Sequence, residues 1–179
     1  MPGVPTIFEL IDTNDADGVR AALATDPGAA AARDAQGLTT LMRAAYLGGE
    51  VFAAVRAANP PLEPFDRIVV GENDGLPPHD AWTPDGFTPL HIAAFANNAA
   101  AARALLEAGA DPNVLATASF ARVTPLGTCA FAGANDVARI LLEHGADPEL
   151  TADHGFTPLD AAVANGNAEL AAMLRDHSG

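Results

Sequence analysis

Apolar residues in this chain come in short bursts at helical spacing, each closed by a glycine or a proline-bearing turn. Ile7, Phe8, Leu10 and Ile11, followed by Val19 and Leu23, recur at three- and four-residue steps and predict helix over residues 7–24. Leu105-Leu106 and Leu141-Leu142 mark leucine-rich helices that stop at Gly109 and Gly145, where a residue without Cβ can turn left-handed and reverse the chain. Thr88, Thr124 and Thr157 each stand directly before a proline. A threonine hydroxyl caps the free N–H groups of a first turn, and proline suits the first helical position, where no N–H is needed, so each Thr-Pro predicts a helix start. Gly133 and Gly166 fall where two of these helices should end. The elements predicted are pairs of short helices joined by projecting turns, in an all-α chain.

The bursts are copies of one another. Asp85-Gly86-Phe87-Thr88-Pro89-Leu90-His91-Ile92-Ala93-Ala94 returns as His154-Gly155-Phe156-Thr157-Pro158-Leu159-Asp160-Ala161-Ala162, with Val123-Thr124-Pro125-Leu126 between them and Gln36-Gly37-Leu38-Thr39-Thr40-Leu41 before. Leu41, Leu90, Leu126 and Leu159 hold the same place in the four phrases, at intervals of 49, 36 and 33 residues. A second phrase follows two of them: Leu105-Leu106-Glu107-Ala108-Gly109-Ala110-Asp111-Pro112 and Leu141-Leu142-Glu143-His144-Gly145-Ala146-Asp147-Pro148. Paired phrases of this kind at a period of about 33 residues resemble the ankyrin-repeat family. The resemblance runs from about Ile7 to His177. It implies an all-α solenoid of about five helix-pair units with projecting β-turns, over residues 5–33, 34–59, 82–114, 119–150 and 152–179, within a single domain. The first unit lacks the Thr-Pro-Leu phrase, as an N-terminal cap would.

The interval of 49 exceeds one period by sixteen residues, which predicts an irregular insert over 60–81. It holds Pro60, Pro61, Pro64, Pro77 and Pro78 and the β-branched run Ile68-Val69-Val70, a composition that predicts a lengthened turn or hairpin. Two roles are open to it. Either it carries function on a rigid scaffold, or Ile68–Val70 folds back over apolar surface left by the weak second unit, where Arg56 and Ala57 replace the usual leucine pair.

Composition supports a packed helical chain, with 49% hydrophobic and 18% charged residues and alanine dominating the apolar set. Nine arginines, no lysine and 23 acidic residues leave a net charge of −14, which should repel phosphate backbones and argues against nucleic acid as a partner. The one cysteine, Cys129, precludes an internal disulfide and fits a reducing compartment. No segment has signal-peptide character or bilayer-spanning length, so the expectation is a cytoplasmic protein without membrane association.

No catalytic constellation stands out. Cys129 replaces an alanine of the inner-helix Ala-Ala pair and reads as a small buried hydrophobe. His91 belongs to the Thr-Pro-Leu-His phrase, where the family resemblance implies a structural hydrogen-bonding role. His79 and Asp80 with Glu72 and Asp74 form the one cluster able to suggest a metal-dependent or enzymatic role, against the simpler reading of a solvated acidic loop. No cofactor is implied. What the resemblance does imply is a non-enzymatic module that holds a partner protein or peptide in its concave groove. In such proteins partners meet the projecting turns and the two exposed positions after each inner-helix Ala-Ala. Mapped here, those are Tyr46 and Leu47, Phe95 and Ala96, Phe131 and Ala132, and Ala164 and Asn165. Three aromatic residues thus recur at matched positions, and rigid rings are favoured interface anchors, although the same rings can pack against neighbouring helices. Trp82, after the insert, and Phe120, on the next projecting turn, where the interval of 36 leaves three extra residues near Leu115 to Arg122, extend the set, whereas Phe87 and Phe156 read as stacking elements behind their turn glycines. A further alternative is an acidic surface that masks a basic partner.

Overall fold

The computed structural model describes residues 4–119, 121–152 and 155–178. Among these residues there are eleven α-helices and one 3-10 turn, and the sole β pairing is an isolated antiparallel bridge between Arg33 and Thr39. The chain divides into two compact units, Met1–Asp66 and Arg67–Gly179.

In the first unit, α1 (Ile7–Asp12) and α2 (Ala16–Thr25) form one helix pair, and α3 (Thr40–Leu47) and α4 (Gly49–Ala57) form the next. The 3-10 turn Pro27–Ala31 follows α2. Each helix starts for a local reason. Thr6 and Glu9 exchange hydrogen bonds in a capping box at α1, and Thr39 Oγ1 accepts the Met42 N–H at α3 although no proline follows it. Ile11, Val19, Leu41, Met42, Val51 and Val55 form the core of this unit, all at most 2% exposed.

The insert departs from its predicted turn or hairpin: residues 64–70 form helix α5 (Pro64–Val70), which crosses the division between the units. Pro64 occupies its first position, and Asp66 reaches back so that Oδ2 accepts the Glu63 N–H at 3.0 Å, as an N3 carboxylate does in a capping box. The other oxygen, Oδ1, accepts the Thr39 hydroxyl at 2.6 Å, so one carboxylate serves the starts of both α5 and α3. Asp66 is 1% exposed, and burial pushes its carboxyl above the usual range against the pull of these two bonds. An Arg33–Glu63 ion pair lies alongside. Ile68, from the β-branched run, is fully buried, and its carbonyl accepts from Asn98 Nδ2 at 3.0 Å. Burial of one apolar side chain and satisfaction of the helix ends thus override β propensity.

The second unit repeats a single pattern. Inner helices α6 (Pro89–Phe95), α8 (Pro125–Ala132) and α10 (Pro158–Ala164) alternate with outer helices α7 (Ala99–Glu107), α9 (Asn135–Glu143) and α11 (Ala168–His177). All three inner helices begin at the predicted Thr-Pro. The Ala-rich faces Ala93-Ala94, Ala101-Ala102 and Ala161-Ala162 are at most 3% exposed, so the small side chains let helices approach closely around Leu90, Leu126, Leu141, Leu170 and Leu174. Polar bonds lock neighbouring repeats. Asn113 Nδ2 donates to the Gly145 carbonyl at 3.1 Å while its Oδ1 accepts the Asp147 N–H at 2.7 Å. The Thr117 N–H donates to the Gly86 carbonyl at 2.9 Å. Gly86, at φ +94, is required there twice over, since a Cβ would stand 2.6 Å from the Ala118 nitrogen.

Candidate functional site

Between α8 and α10 the second unit opens into a cleft of about 470 Å³. It is lined by the rings of Phe131 and Phe156, by Val123, Ala161 and Ala164, and by the polar residues Ser119, Arg122 and Asn165. Phe131 is 60% exposed and Phe156 52%, whereas the large aliphatic residues of α8 and α9 that face inward are at most 8% exposed. Local geometry produces this display. Phe131 and the exposed Ala132 close the last turn of α8 before Gly133, at φ +73, reverses the chain, so the ring projects from the end of an inner helix whose other face is packed.

The predicted positions separate. Phe131 and Ala132 are exposed. Phe95 and Ala96, at the end of α6, are partly buried. In the first unit, Leu47 is 42% exposed and Tyr46 partly buried at the end of α3. Trp82 is 44% exposed at the entrance to the Thr83–Phe87 turn. Phe120 lies outside the described residues, as does His154. In the last repeat the residue directly after Ala161-Ala162 is Val163, one place before the pair singled out by motif, and it is 55% exposed. Ala164 and Asn165 are exposed as well, and both line the cleft. Phe156, read from its motif as a stacking element, is instead half-exposed and lines the cleft. It shares its place with Phe87, which is partly buried with its ring edge-on to His91 at 5.8 Å. The two phrases share Gly-Phe-Thr-Pro-Leu, but the histidine that the Phe87 ring packs against is Asp160 in the last repeat, which offers Phe156 no ring there.

The titratable groups of the repeats serve the scaffold. His91 is 1% exposed; its Nδ1 accepts from the Thr88 N–H at 3.3 Å and hydroxyl at 2.8 Å, which leaves Nε2 as the donor to the Val123 carbonyl at 2.9 Å. Burial drives the imidazole pKa down to about 4 against the pull of the Val123 bond, so the ring is neutral and joins one repeat to the next. In the last repeat Asp160 takes that place, and the Thr157 N–H and hydroxyl hold its carboxyl below the usual range. Cys129 is fully buried and burial pushes its thiol far up, which withholds the thiolate a nucleophile needs. Among the described residues, no group of three or more His, Cys, Asp or Glu side chains converges to hold a metal ion. The 72–80 loop does not bring its acids to His79 in such a group; Glu72 instead pairs with Arg67 at 2.8 Å. No helix among the described residues is long and apolar enough to cross a membrane.

Capped helix pairs repeated along the chain, with turns projecting between them, define a helical repeat protein. An ankyrin-repeat model matches residues 85–116, and a model of ankyrin repeats in three copies matches residues 114–179. Together they cover more than half of the chain, and the chain belongs to the ankyrin-repeat family. Ankyrin repeats generally mediate protein–protein interactions. A search of curated proteins returned no match.

Proposed function

We propose that the cleft between α8 and α10 is where this protein binds another protein or peptide, by taking apolar side chains of the partner between Phe131 and Phe156. One observation carries the reading: two phenylalanine rings, each more than half exposed, line one cleft, while the large aliphatic side chains of α8 and α9 are buried. Exposed rings on a rigid frame bury area on binding with little loss of side-chain freedom, which makes them efficient anchors. The lining suits binding: it is mostly apolar carbon, with the Ser119 hydroxyl, the Asn165 amide and the Arg122 side chain as its polar groups.

The test is a photo-crosslinking amino acid placed at position 131 and, separately, at Arg103 on the exposed face of outer helix α7. A partner should crosslink from position 131 and not from 103, and the Phe131→Ala, Phe156→Ala double variant should lose it. Because both rings are largely exposed, the variant should keep its stability within about 0.5 kcal/mol. Crosslinking from position 103 alone, or binding untouched by the double variant, would move the interface off the cleft. An acidic surface holding a basic partner is separable by salt, because that binding weakens steeply as ionic strength rises and aromatic capture does not.

A further inference from the structure

We propose that Asn165 is a site of spontaneous deamidation, at which an amide on the edge of the cleft becomes a carboxylate without any enzyme. The chain holds nine asparagines, and Asn165 is the one followed by glycine. That neighbour matters because the reaction is an attack by the next residue's backbone nitrogen, and any side chain there obstructs it. Asn59 is excluded outright, since Pro60 has no N–H. The surroundings are open. Asn165 and Gly166 are both exposed, and no heavy atom beyond Gly166 and its two chain neighbours lies within 4 Å of where a Cβ on Gly166 would sit.

The Gly166 nitrogen attacks Asn165 Cγ, the N–C bond forms, and the Cγ–Nδ2 bond breaks. Ammonia departs with the proton that Gly166 loses. Water then opens the five-membered imide at either carbonyl, giving aspartate or, through the side-chain route, isoaspartate. No oxidant or reductant is involved. The step requires the last turn of α10 to open, releasing the Gly166 N–H from the Val163 carbonyl (3.1 Å) and the Asn167 N–H from the Ala162 carbonyl (2.9 Å). An exposed helix end is where such openings are least costly. The side chain itself is lightly held, by one 3.3 Å bond from Nδ2 to the Ala130 carbonyl of α8.

The product differs from the parent in two ways. A carboxylate cannot donate to the Ala130 carbonyl, so a bond between α10 and α8 is lost. The new negative charge also sits at a helix C-terminus, the end of the macrodipole that disfavours it. If the cleft binds as proposed above, its lining changes charge as the protein ages; the modification itself stands or falls without that reading.

The experiment incubates the folded protein at neutral pH and follows peptides by mass spectrometry, with an assay for isoaspartate, beside an Asn165→Gln variant and a urea-unfolded control. The expected result is a gain of about one dalton in the peptide carrying Asn165, ahead of the other eight asparagines, with isoaspartate present and the gain absent from the variant. A folded protein whose Asn165 peptide keeps its mass while the unfolded chain gains the dalton would overturn the proposal, as the closed turn then protects the site. A gain first at another asparagine would overturn it equally. Binding is read separately, so a failed cleft and an unreactive Asn165 give different results.

Discussion

His91 shows how much one side chain is asked to do. Its Nδ1 faces two donors from Thr88 and its Nε2 donates to Val123, so a second ring proton would be buried and would point at the Thr88 N–H and hydroxyl. The pH dependence follows from that geometry. With a folded pKa of about 4 and an ordinary value of 6.5, the unfolded chain takes up the proton first on acidification. The contribution is intact above the ordinary value and is lost as pH falls from there toward 4, by about 3 kcal/mol in total. Urea unfolding of the wild type and of His91→Gln at neutral pH and near the lower value should show the wild type losing more stability than the variant. Equal losses would mean that the carboxylates alone carry the acid sensitivity. Cys129, buried in the place of an alanine, follows sequence reasoning closely, because a motif position dictates its burial. Phe156 does not. It shares Gly-Phe-Thr-Pro-Leu with Phe87, but the ring partner His91 is Asp160 in the last repeat, and one ring is half-exposed where the other is partly buried.

At the scale of elements, what reads from sequence is what is local. Thr124 and Thr157 cap α8 and α10 through their own hydroxyls, and Gly133, Gly145 and Gly166 adopt the left-handed conformation that ends a helix. Helix α5 escapes such reading because β-branched residues and prolines point to a turn, while the helix depends on a distant hydroxyl. Its signal was Pro64 followed by Asp66, proline first and carboxylate third, which is a helix start when the carboxylate has two donors to satisfy. Asp66→Ala should therefore cost about 1–3 kcal/mol in urea unfolding, since it strands the Thr39 hydroxyl and the Glu63 N–H. Thr39→Ala, which removes one of those donors and the α3 cap, should cost about 1 kcal/mol by itself and add less than its own share on top of Asp66→Ala. Full additivity would show that the two groups act independently. The carboxyl of Asp66 is raised, so its own pH contribution is present below 3.8 and lost as pH rises through the folded value, opposite in direction to that of His91.

Across the whole molecule, charge is lopsided and locally managed. Arg20, Arg33, Arg43, Arg67 and Arg139 all pair with acids, and each of these arginines keeps about a third or more of its side chain exposed. Exposed pairs are worth about 0–1 kcal/mol each and lose that value in salt, whereas a net charge of −14 repels itself over the entire chain. Melting temperature should rise when sodium chloride is added, and a fall would show that the ion pairs outweigh the repulsion. Divalent cations at equal ionic strength should raise it no further, and a specific gain with one of them would point to a metal at the 72–80 loop. The carboxylate of Asp66 also bears on how such a chain can change over time. An extra stretch that touched nothing could be gained or deleted freely, leaving a regular array behind. Here one insert residue completes the opening turn of an ordinary repeat helix, so the two have become heirs to each other. Excising sixteen residues that include Asp66 would restore the period and at the same time remove the carboxylate bonded to Thr39 at the start of α3.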